Sequence, residues 1–287
     1  MGIEGKIYLS NHVSRFFWVP EGVIFQGKRT PEAPAKIVEL EPNEALRPYI
    51  CSYWDMSWDL GGKQVPIQVV PSGCVNLVFE ANPTQGSLGS KVVGVRENAF
   101  SFPITGKNRN LGVQFTPGGF FPFYKKNGSE LVDKVLPLSD IFPDSHHQFE
   151  EIALSSLSFL EKTKQWDEVF LRYIPKHPPE ELQLVHEILA FTVQEEGIKN
   201  CNDLLKSFPS MNERKIQRLF QKCVGVSPRM WIRIQRFQDT AKSILEGQAI
   251  DWSNLALEMG YYDQAHLIND FRALTGKCPT EILSPRA

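Results

Sequence analysis

Residues 212–228, NERKIQRLFQKCVGVSP, and residues 263–279, DQAHLINDFRALTGKCP, are one pattern written twice, 51 positions apart. Asn212 falls on Asp263, Ile216 on Leu267, Phe220 on Phe271, Gly225 on Gly276 and Pro228 on Pro279, and the match reaches back to Leu204 on Leu255. Asn212 and Asp263 are N-cap residues, whose side chains accept a bond from the unpaired amides of a helix beginning just after them. Ile216/Phe220 and Leu267/Phe271 stand four apart, so each pair lies on one face of its helix. Gly225 and Gly276 end those helices, and Pro228 and Pro279 prevent simple continuation. The pattern predicts two copies of a short helix, a tight turn and a second helix.

In the first copy Cys201 to Phe208 is read as the supporting helix, Pro209 to Asn212 as the turn and Glu213 to Lys222 as the second helix. Ile216, Leu219 and Phe220 turn inward, which pushes Arg214, Gln217, Arg218 and Gln221 onto one outer face. That face carries the chemistry of a major-groove reader, since Arg forks onto guanine and Gln onto adenine. A solvated basic helix face is the commoner role for such residues. Placement after an N-cap turn in a duplicated unit favours DNA. Pro228 to Leu245 reads as one long helix with Pro in its first turn and Met230, Ile234, Phe237, Ala241, Ile244 and Leu245 inward. About 18 residues span roughly 27 Å, comparable to the ~34 Å between successive major-groove turns on one side of a duplex. In the second copy Asp251 to Met259 supports, and Gln264 to Ala273 presents Gln264, Ala265, His266, Ile268, Asn269 and Arg272. Lys215, Lys222, Arg229 and Arg272 are the expected phosphate contacts.

The formal net charge of -2 conceals a concentration. Lys206 to Arg236 holds eight basic residues and one acid, whereas Asp251 to Glu281 holds two basic residues and five acids. The first unit is therefore expected to anchor on phosphate and the second to discriminate weakly.

A length of 287 residues suits two domains, and the composition is that of an ordinary soluble protein. There is no apolar run of about 18 residues that would span a membrane. Met1 to Arg15 lacks the basic start and apolar core of a signal peptide. Five cysteines without a C-x-x-C pair point to reduced thiols and the cytoplasm.

Residues 1 to 143 are rich in aromatic and β-branched runs broken by Gly and Pro, among them Phe16 to Val19, Val23 to Phe25, Ile67 to Val70, Cys74 to Phe79, Lys91 to Val95 and Gly112 to Phe115. Such runs predict an antiparallel β-sandwich or barrel. Val75, Leu77 and Phe79 alternate with Asn76 and Val78, as a strand with one buried face requires. Short helices are expected at Asn43 to Tyr49 and near Gly119 to Lys126, and Glu130 to Pro143 is read as leaving the sheet. The one histidine before residue 146 is His12, so a His-rich metal centre is not expected, and no G-x-S-x-G elbow or phosphate loop is present. No cofactor and no catalytic residue are expected. Cys51 and Cys74 read as buried small residues before redox sensors. Trp54, Trp58, Phe79, Phe102 and Phe115 are candidate linings of an effector pocket, with Arg47, Arg96 or Arg109 meeting a ligand carboxylate. For each, packing or a solvated surface position is the simpler role.

Residues 144 to 178 form a helical connector. Phe149, Ile152, Ala153, Leu157 and Leu160 recur at near-helical spacing, followed by Trp166, Val169, Phe170 and Tyr173. This amphipathic pair offers either a dimer surface or a layer on the β-domain. Pro175, Pro178 and Pro179 make the domain boundary, and Leu182 to Val193 is the next helix.

Residues 179 to 287 resemble the DNA-binding domain of AraC/XylS-type transcription regulators. The resemblance rests on Met211 to Phe220, Val224-Gly225-Val226-Ser227-Pro228, Gly260-Tyr261-Tyr262-Asp263-Gln264-Ala265-His266-Leu267, Phe271-Arg272 and Thr275 to Pro279. The N-terminal part, through Leu46 to Ile50, Tyr53-Trp54, Pro71 to Leu77 and Gly112 to Gly118, resembles a cupin-like sensor domain found ahead of such modules. The resemblance implies an α+β chain of two domains: an N-terminal antiparallel β-barrel, then an all-α domain of two helix-turn-helix units joined by a long helix. It also implies a transcription regulator, an activator, working on double-stranded DNA with RNA polymerase, answering a small molecule or protein effector, and able to form a homodimer. By resemblance Arg214, Gln217 and Arg218 read bases in the first unit, and Gln264, Ala265, His266 and Asn269 in the second. The family usually carries a basic residue where Asn269 stands, and Asp270 beside it is read as repelling phosphate. Two other classes compete. A cupin enzyme with a helical appendage lacks its His ligands, and an architectural module without sequence readout would use the same helices.

Overall fold

The computed structural model describes residues 16–19, 22–25, 28–29, 35–81, 89–194, 204, 207–209, 211–246 and 251–283. His12 and the Met1 to Arg15 segment lie outside them, as does most of the expected supporting helix Cys201 to Phe208. Among the described residues nine strands form one antiparallel sheet: β1 (Phe16–Val19), β2 (Gly22–Phe25), β3 (Lys28–Arg29), β4 (Ala35–Leu40), β5 (Ile50–Val69), β6 (Asn76–Glu80), β7 (Ser90–Val93), β8 (Phe100–Phe115) and β9 (Val135–Pro137). The order is β3-β2-β1-β5-β8-β6-β7-β9, with β4 also paired to β5.

The architecture is an antiparallel sheet domain followed by a helical domain, and the sheet does not close into a barrel among the described residues. Closure needs the first and last strands to pair; here helices cover one face instead. The expected run at Ile67 is the end of a long strand, β5, which begins at Ile50 and has an irregular register between Asp59 and Gln64. Glu130 to Pro143 does not leave the sheet altogether: Val135 to Pro137 pairs with β7, Leu136 opposite Val92. Three residues are too short to show an alternation in sequence.

Strand parity splits the sheet into two faces. On one, Tyr53, Leu77, Phe79, Leu111, Val113 and Phe115 are buried against helices α2 (His146–Leu154) and α3 (Phe159–Leu171), which follow the short helix α1 (Phe121–Tyr124). Trp166 stacks on Phe79 at 5.1 Å between centroids, and Phe115 meets Phe120, Phe123 and Phe170 edge-on. The expected helical stretch Phe149 to Leu160 is broken at Ser155 to Ser158. Ser158 and Glu161 form a reciprocal capping box that starts α3 anew. The connector thus packs its apolar face on the sheet, leaving Leu154 and Leu160 exposed.

Helix α4 (Glu180–Gln194) sends Leu182, Val185, Ile188 and Leu189 into the same core, which continues into Ile216, Leu219 and Phe220. The remaining helices are α5 (Glu213–Cys223), α6 (Pro228–Glu246), α7 (Trp252–Glu258), α8 (Gln264–Thr275) and α9 (Pro279–Leu283). A second, smaller core lies around Phe237, Ala241, Leu255, Leu267, Phe271 and Leu274.

Candidate nucleic-acid interface and effector cavity

The N-caps hold both second helices. Asn212 Oδ1 accepts from the Lys215 amide at 2.9 Å, and Asp263 Oδ1 accepts from the His266 amide at 2.7 Å. Gly225 and Gly276 follow the helices with φ of +100° and +76°, the left-handed backbone that glycine adopts without strain. On α5, Ile216, Leu219, Phe220 and Cys223 are buried, while Arg214, Lys215, Gln217 and Arg218 are exposed together and Gln221 is half-buried. Lys222 is drawn away from that face. Its Nζ donates to Glu181 Oε1 at 2.7 Å and lies over the Phe121 ring, and the pairing raises the Lys222 pKa and lowers that of Glu181. Arg229 is exposed at the start of α6.

On α8, Leu267, Asp270, Phe271 and Leu274 face inward, and Gln264, Ala265, His266, Asn269 and Arg272 face solvent, with Ile268 half-buried. The Tyr262 amide donates to His266 Nδ1 at 3.2 Å. A neutral imidazole held this way carries its proton on Nε2, as a donor. Arg272 Nη2 reaches Cys278 Sγ at 2.8 Å. Tyr262, 85% exposed and not among the expected contacts, stands beside the helix start with Leu257 and Ala265 around a shallow groove. Its only sequence signal is a large aromatic just before an N-cap.

The expectation that Asp270 repels phosphate is overturned. Asp270 is buried, and Arg233 Nε of α6 donates to its Oδ1 at 2.5 Å. Arg236 likewise donates to the Gly260 carbonyl at 3.0 Å and lies over the Tyr261 ring. Two cations counted with the first unit therefore serve the packing of the second, and the acid counted against the second is neutralised inside it. Charge counting along the chain cannot see which face a residue takes.

The other face of the sheet opens into a cavity of about 510 Å³. Trp54, Arg96 and Phe102 line it, as do Trp58, Asn110 and Gln114. Phe79 and Phe115 are not brought there; they belong to the face under α2 and α3, as Phe79 opposite Leu111 and Leu77 opposite Val113 require. Arg47 pairs with Glu41 at 2.9 Å and Arg109 Nε with Asp55 at 2.8 Å, so of the three expected arginines only Arg96 lines the cavity. Asn110 and Gln114 were readable as even positions of β8, the parity shared with Asn108.

Part of the cavity wall also holds the second helical unit. Val70 and Ser72 line the cavity, and Val70 is buried in the core of Phe237, Phe271 and Leu274. Gln68 Nε2 donates to the Thr275 carbonyl at 2.7 Å, the Ala99 amide to the Leu274 carbonyl at 2.8 Å, and Gln238 Nε2 to the Pro71 carbonyl. Gly73, at φ +72°, lies so close to the Trp231 ring that a Cβ there would sit 2.3 Å from it.

A helix-turn-helix family model matches residues 209–284, and a model for a domain of unknown function matches residues 38–137. The chain carries a helix-turn-helix domain. That domain is the DNA-binding part of a transcription regulator. Among curated proteins none matches the chain. Solved structures of ToxT from Vibrio cholerae match with low identity. One aligns at 12% identity and TM-score 0.38 over 86% of this chain and 96% of its own. The form bound to an unsaturated fatty acid aligns at 11% and 0.37 over 88% and 96%, and that bound to (E)-4-(8-methylnaphthalen-1-yl)but-3-enoic acid at 12% and 0.37 over 94% and 89%. Among the described residues, no helix is long and apolar enough to cross a membrane, and no cluster of His, Cys, Asp or Glu could hold a metal.

Proposed function

We propose that the protein is a cytoplasmic, non-enzymatic transcription regulator in which residues 1–143 sense a small molecule and residues 179–287 bind two adjacent major grooves. The observation that carries this reading is the pair of capped helices, α5 and α8, joined by the nineteen-residue α6 and each exposing a polar face. Arg214, Gln217 and Arg218 are assigned to bases in the first groove and Gln264, Ala265, His266 and Asn269 in the second. Lys215, Arg229 and Arg272 are assigned to phosphates. With Asp270 neutralised, the second unit is an equal reader rather than a weak one. RNA polymerase is the proposed partner on the promoter, and the exposed Leu154 and Leu160 of the 144–178 connector are the proposed homodimer surface.

The test begins with selection of a bound site from genomic fragments and footprinting on it. Arg218→Ala should then cost ~1–3 kcal/mol on the selected site and relax preference at one base pair. Lys215→Gln should weaken all DNA alike and lower the salt slope by ~1. Diffuse occupancy without a footprint, or Arg218→Ala with unchanged affinity, would remove the sequence-reading assignment.

A further inference from the structure

We infer that the cavity on the open face of the sheet takes an uncharged, largely apolar molecule that donates a hydrogen bond, from a hydroxyl or an N–H, to Asn110. This rests on reading the N-terminal domain as a sensor, and it names the ligand class. The cavity is walled chiefly by Trp54, Trp58, Phe102 and Ile104, and its volume of about 510 Å³ fits one compact organic molecule.

The charged groups in the wall are already answered by the protein. Lys91 is paired with Glu80. Arg96 Nη1 donates to the Asp133 carbonyl at 2.9 Å, stands 3.8 Å from the Asp133 carboxylate, and its guanidinium lies over the Phe100 ring at 4.6 Å. Two cations and two carboxylates cancel. A carboxylate ligand would add an unbalanced charge to an apolar space, which is costly without a cation of its own.

What the wall leaves unmet is smaller. Asn110 is 6% exposed, lines the cavity, and its Oδ1 has no partner. A buried acceptor without a donor is a penalty that a ligand O–H or N–H removes. Arg96 Nε is also without a partner, and an ether or carbonyl oxygen meets it without bringing charge. The sheet register puts Asn110 opposite Glu80, while Arg96 follows the end of β7 that pairs with Asn76. Four residues of strand separate these two ends by roughly 13 Å, so an elongated molecule of about two rings spans the space.

Calorimetric titration of the full-length protein with three biphenyls of matched body tests this. The probes are 4-phenylphenol, a neutral donor; 4-methoxybiphenyl, which lacks the donor; and biphenyl-4-carboxylate, an anion. The phenol should bind at least tenfold more tightly than either of the others. Asn110→Leu should abolish its advantage over the methoxy compound while leaving the latter's affinity and the circular dichroism of the protein unchanged. Val78→Trp, which fills the cavity from β6, should abolish binding of all three. Tightest binding by the carboxylate, or an advantage of the phenol that survives Asn110→Leu, would overturn the ligand class and leave the sensor reading standing. Failure of every probe to bind, or binding that survives Val78→Trp, would overturn the cavity as the sensor site.

Discussion

His186, on α4, makes one buried contact that contributes to the acid response of the chain. Its ring donates to the carbonyl of Pro117, and burial holds its pKa down to about 4. Its Nε2 has no partner, so a second proton would have no acceptor there. An unfolded histidine titrates near 6.5. Between about pH 6.5 and 4 the unfolded chain therefore binds a proton that the folded chain does not, and acid favours unfolding. The stability present above pH 6.5 should fall by about 3 kcal/mol on the way to pH 4 through this residue alone. Asp239, held up to about 6 by burial, works in the opposite direction over the same range, so urea titrations of the protein and of His186→Gln should be compared: relative to the variant, the protein should lose stability steadily as pH drops from 6.5 to 4. An unchanged slope in the variant would mean that other groups carry the acid response.

At the scale of the element, α8 is held to α6 by the Arg233–Asp270 bond, and here the pair matters more than either residue. Arg233→Met strands a carboxylate that is almost fully buried, and should cost roughly 3 kcal/mol. Arg233→Met with Asp270→Leu replaces the pair by apolar volume and should recover most of that loss. Thermal denaturation of the two variants decides the matter, and equal losses would show that Asp270 is not desolvated. The same helix shows what the sequence could tell. Caps at Asn212 and Asp263, the glycines after both helices and the four-residue apolar spacing act within a few residues of chain, so both second helices and the strut were legible. The place of Asp270 is not legible from its charge; standing three residues from Leu267 puts it on the inward face of the helix. Phe79 and Phe115 were misassigned to the cavity for a similar reason, since the alternation with Leu77 already put Phe79 on the opposite face from Asn76 and Val78.

At the scale of the whole molecule, the contacts joining the sheet domain to the second unit were illegible because they close over long loops. Gln68 meets Thr275 across 207 positions, and Gln238 meets Pro71 across 167. No local pattern marks them. Their consequence is an asymmetry. The first unit shares one continuous core with α4 and the β-domain, through Leu182, Val185, Ile216 and Phe220. The second has a separate core, in which the sheet domain places Val70. Loosening the hold of Val70 should therefore release α8 and spare α5. Val70→Ala leaves a void among Phe237, Phe271 and Leu274. It should cost about 2 kcal/mol locally, which speeds amide exchange by roughly 30-fold where opening governs it. Hydrogen-exchange mass spectrometry should find that acceleration in peptides covering residues 264–275 and little change in those covering 213–223. Equal acceleration in both peptides would show one cooperative unit, and Val70 would then be an ordinary part of the core rather than a separable hold on the second reader. The exchange pattern also bears on the proposed sensing, because Val70 lines the cavity and is buried in the second unit's core: a molecule seated in the cavity would touch a residue that holds the second unit to the sheet.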